Sequence, residues 1–147
     1  MKLPRGATGF DAPAHEVDLR AFHTACHHAV RVTGGTVTQI TGPGPNRNFH
    51  TVEIGMDQQR FAVLRHATVP LAAIAGPLDD DMTFTFGHHP GLAAAITDVI
   101  DVHLLTAGEL NTLLSRADVD DLGRGEPAQI AYWRPGTVGE LLFNFWD

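Results

Sequence analysis

At 147 residues and 44% apolar composition, the chain can bury about two thirds of its unfolded surface in one domain, which excludes disorder and a disulfide-stapled miniprotein. Its net charge of −7 argues against sequence-independent nucleic-acid binding, which needs basic surface to release phosphate counterions, and favours a basic protein partner. The one cysteine, Cys26, excludes an intrachain disulfide; with no apolar leader in residues 1–9 and no long apolar window, a cytoplasmic protein with no membrane partner is expected.

Residues 1–10 read as an irregular arm of one domain, 1–147. A helix is predicted from about Ala12 to Val32. Asp11 serves as N-cap, Pro13 sits in the first turn, and Gly34-Gly35 ends it. Leu19, Phe22, Cys26, Ala29 and Val30 share its apolar face. Alternating strands follow at Thr36–Ile40, Phe49–Ile54 and Arg60–Arg65, separated by turns at 42–46 and 56–59. Residues 67–81 read as a connection carrying the acidic run Asp79-Asp80-Asp81, before a fourth strand at Met82–Phe86.

Pro90-Gly91 opens a short helix over Leu92–Val99, and Ile100–Leu105 reads as a buried strand. Thr106-Ala107-Gly108-Glu109 is a capping box ahead of Leu110, Leu113 and Leu114. Asp118–Gly125 reads as a turn or a single helical turn, and strands at Ile130–Trp133 and Leu141–Trp146 finish the chain. The sum is an α+β fold: a mainly antiparallel sheet of about five to seven strands, about three helices covering one face, and the C-terminal strand integral to the sheet.

The tail is the most informative segment, because five of the eleven aromatic residues fall in the last sixteen positions. Within Leu141–Trp146 only Asn144 is polar, which suits a strand covered on both faces. The other reading exposes Trp146 and Trp133 as anchors on a binding surface. Tyr132-Trp133-Arg134 joins the three residue types most enriched at interface hot spots. The ending Tyr132-Trp133-Arg134-Pro135-Gly136-Thr137-Val138-Gly139-Glu140-Leu141-Leu142-Phe143-Asn144-Phe145-Trp146-Asp147, together with Pro45–Val52, resembles uncharacterised small proteins of high-GC bacteria. The resemblance spans most of the chain and implies no activity, catalytic residue or cofactor.

Nine histidines raise a metal hypothesis. His23 and His27 lie one helical turn apart, and His88-His89 precede a helix with Asp98, Asp101 and His103 beyond; neither group fixes a complete ligand set. A catalytic alternative centres on Asn46–Glu53: His50 as acid/base, Arg47 holding a carboxylate or phosphate, and His66 or His88 completing a hydrolase- or transferase-like site. No nucleotide-binding, nucleophile-elbow or Cys-x-x-Cys motif is present, and Cys26 reads as core packing. The favoured expectation is a non-catalytic, acidic partner-binding protein of accessory or immunity type, without cofactor. Trp133, Tyr132, Arg134 and Trp146 anchor the partner, while Asp79, Asp80 and Asp81, with Asp118, Asp120 and Asp121, steer it.

Overall fold

The computed structural model describes residues 1–10, 19–44, 47–77 and 83–146. The predicted Asp11 cap, Pro13, the Asp79-Asp80-Asp81 run and Met82 lie outside them. The fold is α+β, with one open five-stranded mixed sheet and five α-helices among the described residues. Helix α1 (Leu19–Thr33) buries Phe22, Ala25, Cys26, Ala29 and Val30. It stops where Gly34 takes φ +86°, a conformation glycine enters without steric cost, and the Gly34 and Gly35 amides both return to the Val30 carbonyl.

Strands β1 (Thr36–Thr41), β2 (Phe49–Met56) and β3 (Gln59–His66) form the predicted antiparallel meander. Asp57 and Gln58 close the β2–β3 hairpin with positive φ at both positions, the two-residue turn whose twist matches paired strands.

Strand β4 (Leu71–Ala75) lies inside the predicted 67–81 connection, where no strand was expected. Leu-Ala-Ala-Ile-Ala carries neither alternation nor much intrinsic strand preference; all five residues are buried, so position in the sheet interior decides its state. Of the predicted strand at Met82–Phe86, the described residues 83–86 form only an isolated bridge, Ala75 to Phe86. Helix α2 (Pro90–Thr97) matches its prediction and leads into β5 (His103–Leu104), which pairs parallel to β4 and makes the sheet mixed. Residues 100–105 therefore supply a two-residue edge strand with His103 exposed, not a buried one.

Helix α3 (Ala107–Leu110) begins at the predicted capping box, with the Glu109 amide on Thr106 Oγ1 and the Thr106 amide on the Glu109 carboxylate. It ends before Leu113, which is 74% exposed. A 3₁₀ turn (Ala117–Val119) fills the predicted 118–125 turn region.

The two C-terminal segments expected as strands are helices α4 (Glu126–Trp133) and α5 (Val138–Leu142), followed by an irregular end. Helix α4 has proline in its first turn, alanine and glutamine in its body, and Arg134 in a left-handed stop before Pro135. Helix α5 starts on Thr137, whose hydroxyl receives the Glu140 amide at 3.2 Å. The C-terminal segment is integral to the core without joining the sheet: Leu141 and Leu142 are fully buried, and Phe143 and Asn144 nearly so.

Both faces of the sheet are covered, where one was expected. Val52, Ile54, Met56, Val63 and Ile74 meet α1 and α2 on one face. Phe49, Ala62, Leu64, Ala73 and Ala75 meet α5, Phe143 and Leu3 of the N-terminal arm on the other. The arm is thus part of the packing, with Leu3 and Ala7 fully buried.

Gly139 seats α5 against the Phe86 ring and the end of α3. A β-carbon there would strike the Phe86 ring and sit 3.0 Å from the Leu110 carbonyl oxygen. Gly139→Ala is expected to destabilise by about 1–3 kcal/mol through overpacking, read as a lower denaturant midpoint at unchanged slope. A midpoint equal to wild type would show that α5 is not held by this contact.

Candidate functional site: an aromatic cleft at the C-terminus

The C-terminal end of the chain is fixed by a pair of asparagines. Asn48 Oδ1 accepts the Asn144 amide at 2.9 Å, and Asn48 Nδ2 donates to the Leu142 carbonyl at 3.0 Å. Asn144 Nδ2 donates to the carbonyls of Thr8 (3.1 Å) and Leu141 (2.8 Å), while its Oδ1 accepts the Trp146 amide at 3.3 Å. The segment beyond α5 is irregular, so its backbone groups need such partners once buried. The lone polar residue of the apolar tail is therefore its clamp. It faces inward, while Phe143 and Phe145 pack edge-on against Phe49 at 5.9 and 5.4 Å.

The same clamp sets Trp146 beside Trp133 of α4, with ring planes 2° apart and centroids 6.1 Å apart. Trp133 Nε1 donates to Gln129 Oε1, one helical turn earlier, and Tyr132 packs edge-on against Trp133 while remaining 76% exposed. Trp133, Arg134 and Trp146 line a cleft of about 330 Å³ together with Phe84, Phe86 and Phe143. Glu140 also lines it, its carboxylate receiving the Gly136 amide. Both indoles are half-buried, so each presents apolar surface while held by the protein. Among the described residues its lining offers flat apolar walls, the Arg134 guanidinium and the Glu140 carboxylate. Trp133, Trp146, Phe84 and Phe86 come together only through the fold.

The histidines are dispersed. His66 is fully buried on the α5 side of the sheet. Its Nδ1 accepts the Thr68 and Val69 amides (3.1 and 3.2 Å), so its Nε2 carries the proton and donates to the Ala7 carbonyl at 2.8 Å. Burial pushes its pKa down to about 4. His50 points to the opposite face; burial, then the charges of Arg65, His23 and Arg47, push it down to about 4 as well. Arg47 lies over the Phe49 ring at 5.3 Å and donates to the Gly42 carbonyl. His88 is exposed ahead of α2, where His89 Nδ1 caps the helix by accepting the Leu92 amide at 3.0 Å. His50, His66 and His88 thus do not share a pocket. His23 is half-buried and His27 exposed on α1, and no group of three metal-type ligands occurs among the described residues. Cys26 is buried, its thiol pushed up to about 12 by desolvation, which suits packing.

The second acidic group has internal tasks. Asp118 receives the Ser115 amide at 2.9 Å and pairs with the N-terminal ammonium at 3.2 Å, and Asp121 pairs with Lys2 at 3.7 Å. Asp120 is exposed. A residue that sequence reasoning passed over, Glu126, is fully buried at the start of α4. It accepts from the Thr8 amide and hydroxyl (3.2 and 2.8 Å) and from the Gly123 amide (2.8 Å), tying the arm to the helix that carries Trp133. No helix among the described residues is long and apolar enough to cross a membrane.

Because both buried histidines have folded-state pKa values below the ordinary 6.5, the unfolded chain takes up protons that the folded one refuses. Stability is expected to be level above about pH 6.5 and to fall as pH drops toward 4, by on the order of 3 kcal/mol for His66 alone. Denaturant melts across this range test it; a His50→Gln variant should show a shallower fall, and a flat wild-type profile would contradict the assignment.

Comparison with protein-family models, with curated proteins and with solved structures finds no match to this chain, so its functional reading rests on the geometry of the cleft.

Proposed function

We propose that this is a non-catalytic partner-binding protein of accessory or immunity type, with the aromatic cleft as the anchor point for another protein. The observation that carries the reading is the meeting of Trp133, Arg134 and Trp146 on one cleft of about 330 Å³, with Tyr132 exposed beside it. Tryptophan, tyrosine and arginine concentrate binding energy at interfaces because they add large, stiff contact area and a polar handle at small entropic cost. The stacked indoles are already ordered by Gln129 and Asn144, which lowers the cost of ordering them on binding. The net charge of −7 favours a basic partner and speeds its encounter at low salt. Asp79, Asp80 and Asp81 are the acidic run proposed to contribute to that field.

Affinity capture from the native host, with wild type beside Trp133→Ala and a triple Asp79/Asp80/Asp81→Asn variant, tests the reading. A stoichiometric partner is expected with wild type. Trp133→Ala should weaken it by about 2 kcal/mol or more, roughly thirtyfold, at an unchanged melting temperature. The triple variant should associate more slowly and with weaker salt dependence. Equal binding by wild type and Trp133→Ala removes the cleft from the interface. Absence of any stoichiometric partner, alongside turnover in a metabolite library, replaces the reading with an enzymatic one.

A further inference from the structure

Two buried side-chain polar atoms among the described residues lack a hydrogen-bond partner, Arg47 Nε and Thr51 Oγ1. Buried donors are paired as a rule, since burial strips the water that would otherwise satisfy them. Both residues line one cavity of about 330 Å³, divided from the tryptophan cleft by Phe84 and Phe145, which line both.

Strand alternation builds its floor. Thr51 and Glu53 of β2 face the same way, and register sets them opposite Thr41 and Gln39 of β1. The C-terminal layer covers Phe49 and the β3–β4 part of this sheet face with apolar contacts, whereas the rest of its β1–β2 part, at Gln39, Thr41, Thr51 and Glu53, is polar. Arg47 stands at the entrance to β2, its guanidinium held over Phe49 and by the Gly42 carbonyl. With Arg60 and Glu53 also present, the lining carries two arginines and one carboxylate, a local excess of positive charge on a chain of net −7.

We infer that this cavity binds a small organic monocarboxylate with an apolar body. Arg47 Nε–H and the Thr51 hydroxyl receive the carboxylate, and Phe84 and Phe145 flank the body. An anion there satisfies both unpaired groups at once and offsets the desolvation that holds the Arg47 pKa below its usual value. The volume lies at the small end of ligand sites, which begin at about 300 Å³. The single excess charge and the nearby Glu53 favour a monoanion over a phosphate dianion.

The test titrates the full chain with phenylbutyrate, its neutral analogue phenylbutanol, and phenyl phosphate, by calorimetry and by amide NMR. Phenylbutyrate is expected to saturate one site, bind about tenfold or more tighter than either analogue, and shift the amides of Thr41 and Thr51. Thr51→Val, which keeps the strand's shape, and Arg47→Gln should each abolish the preference for acid over alcohol, while Trp133→Ala leaves it unchanged. Thr51→Val decides the matter if Arg47→Gln lowers the melting temperature. Non-saturating binding, equal affinity for acid and alcohol, unaltered binding by Thr51→Val, or shifts centred on the Trp133 and Trp146 indoles would each overturn the inference. The partner reading stands or falls separately, since it depends on Trp133.

Discussion

The side-chain amides of Asn48 and Asn144 are the contact on which the rest of the structure depends. They join three stretches far apart in sequence: the N-terminal arm at Thr8, the entrance to β2, and the segment after α5. Each asparagine offers both donors and an acceptor, so one pair satisfies backbone groups that no helix or strand ladder reaches. Gly9 lets the arm pass close to it. Its φ is +89°, and a β-carbon there would sit 2.9 Å from the Asn48 Cβ. Removing the Asn48 amide takes that partner from the Asn144 N–H and the Leu142 carbonyl inside the protein, a larger loss than the bond itself.

From that clamp follows the division of labour on the α5 side of the sheet. Phe143 and Phe145 turn inward to Phe49 and close the core, while Trp146 turns outward to meet Trp133. Glu126 does for α4 what Asn144 does for the tail, anchoring it to Thr8. His66, bound to Ala7, Thr68 and Val69, holds the same arm from the sheet. Asn48, Asn144, Glu126 and His66 thus all hold irregular backbone. Such networks are costly when incomplete, which is why their members are buried together and few of their atoms lack partners.

Two clefts result, separated by the Phe84 and Phe145 rings. One has half-buried indoles as its walls and suits the large, low-entropy contacts of protein recognition. The other has a threonine and an arginine at a polar sheet face and suits a small charged group. They differ in chemistry because the C-terminal layer covers the β3–β4 half of the sheet and stops short of β1.

The sequence by itself determined whatever is written in local periodicity and capping. The face of α1, the β1–β2–β3 meander with its Asp57-Gln58 turn, α2, and the Thr106 capping box are all recognisable because neighbouring residues decide them. The same Thr-x-x-Glu pattern recurs at Thr137–Glu140 and marks α5, but the aromatic run behind it resembles a strand more strongly. Likewise Tyr132-Trp133-Arg134 announces surface chemistry without telling helix from strand. Tertiary structure alone decided that β4, a run of alanines with no local preference, becomes a central strand, because burial between β3 and β5 supplies what propensity lacks. It alone decided that Trp146 stacks on Trp133 at the edge of the core, and that Arg47 and Thr51 share a cavity. Those outcomes rest on tertiary contacts, held by side chains such as Asn48 and Asn144 that bond backbone 96 and 136 positions away and whose partners no local pattern can name.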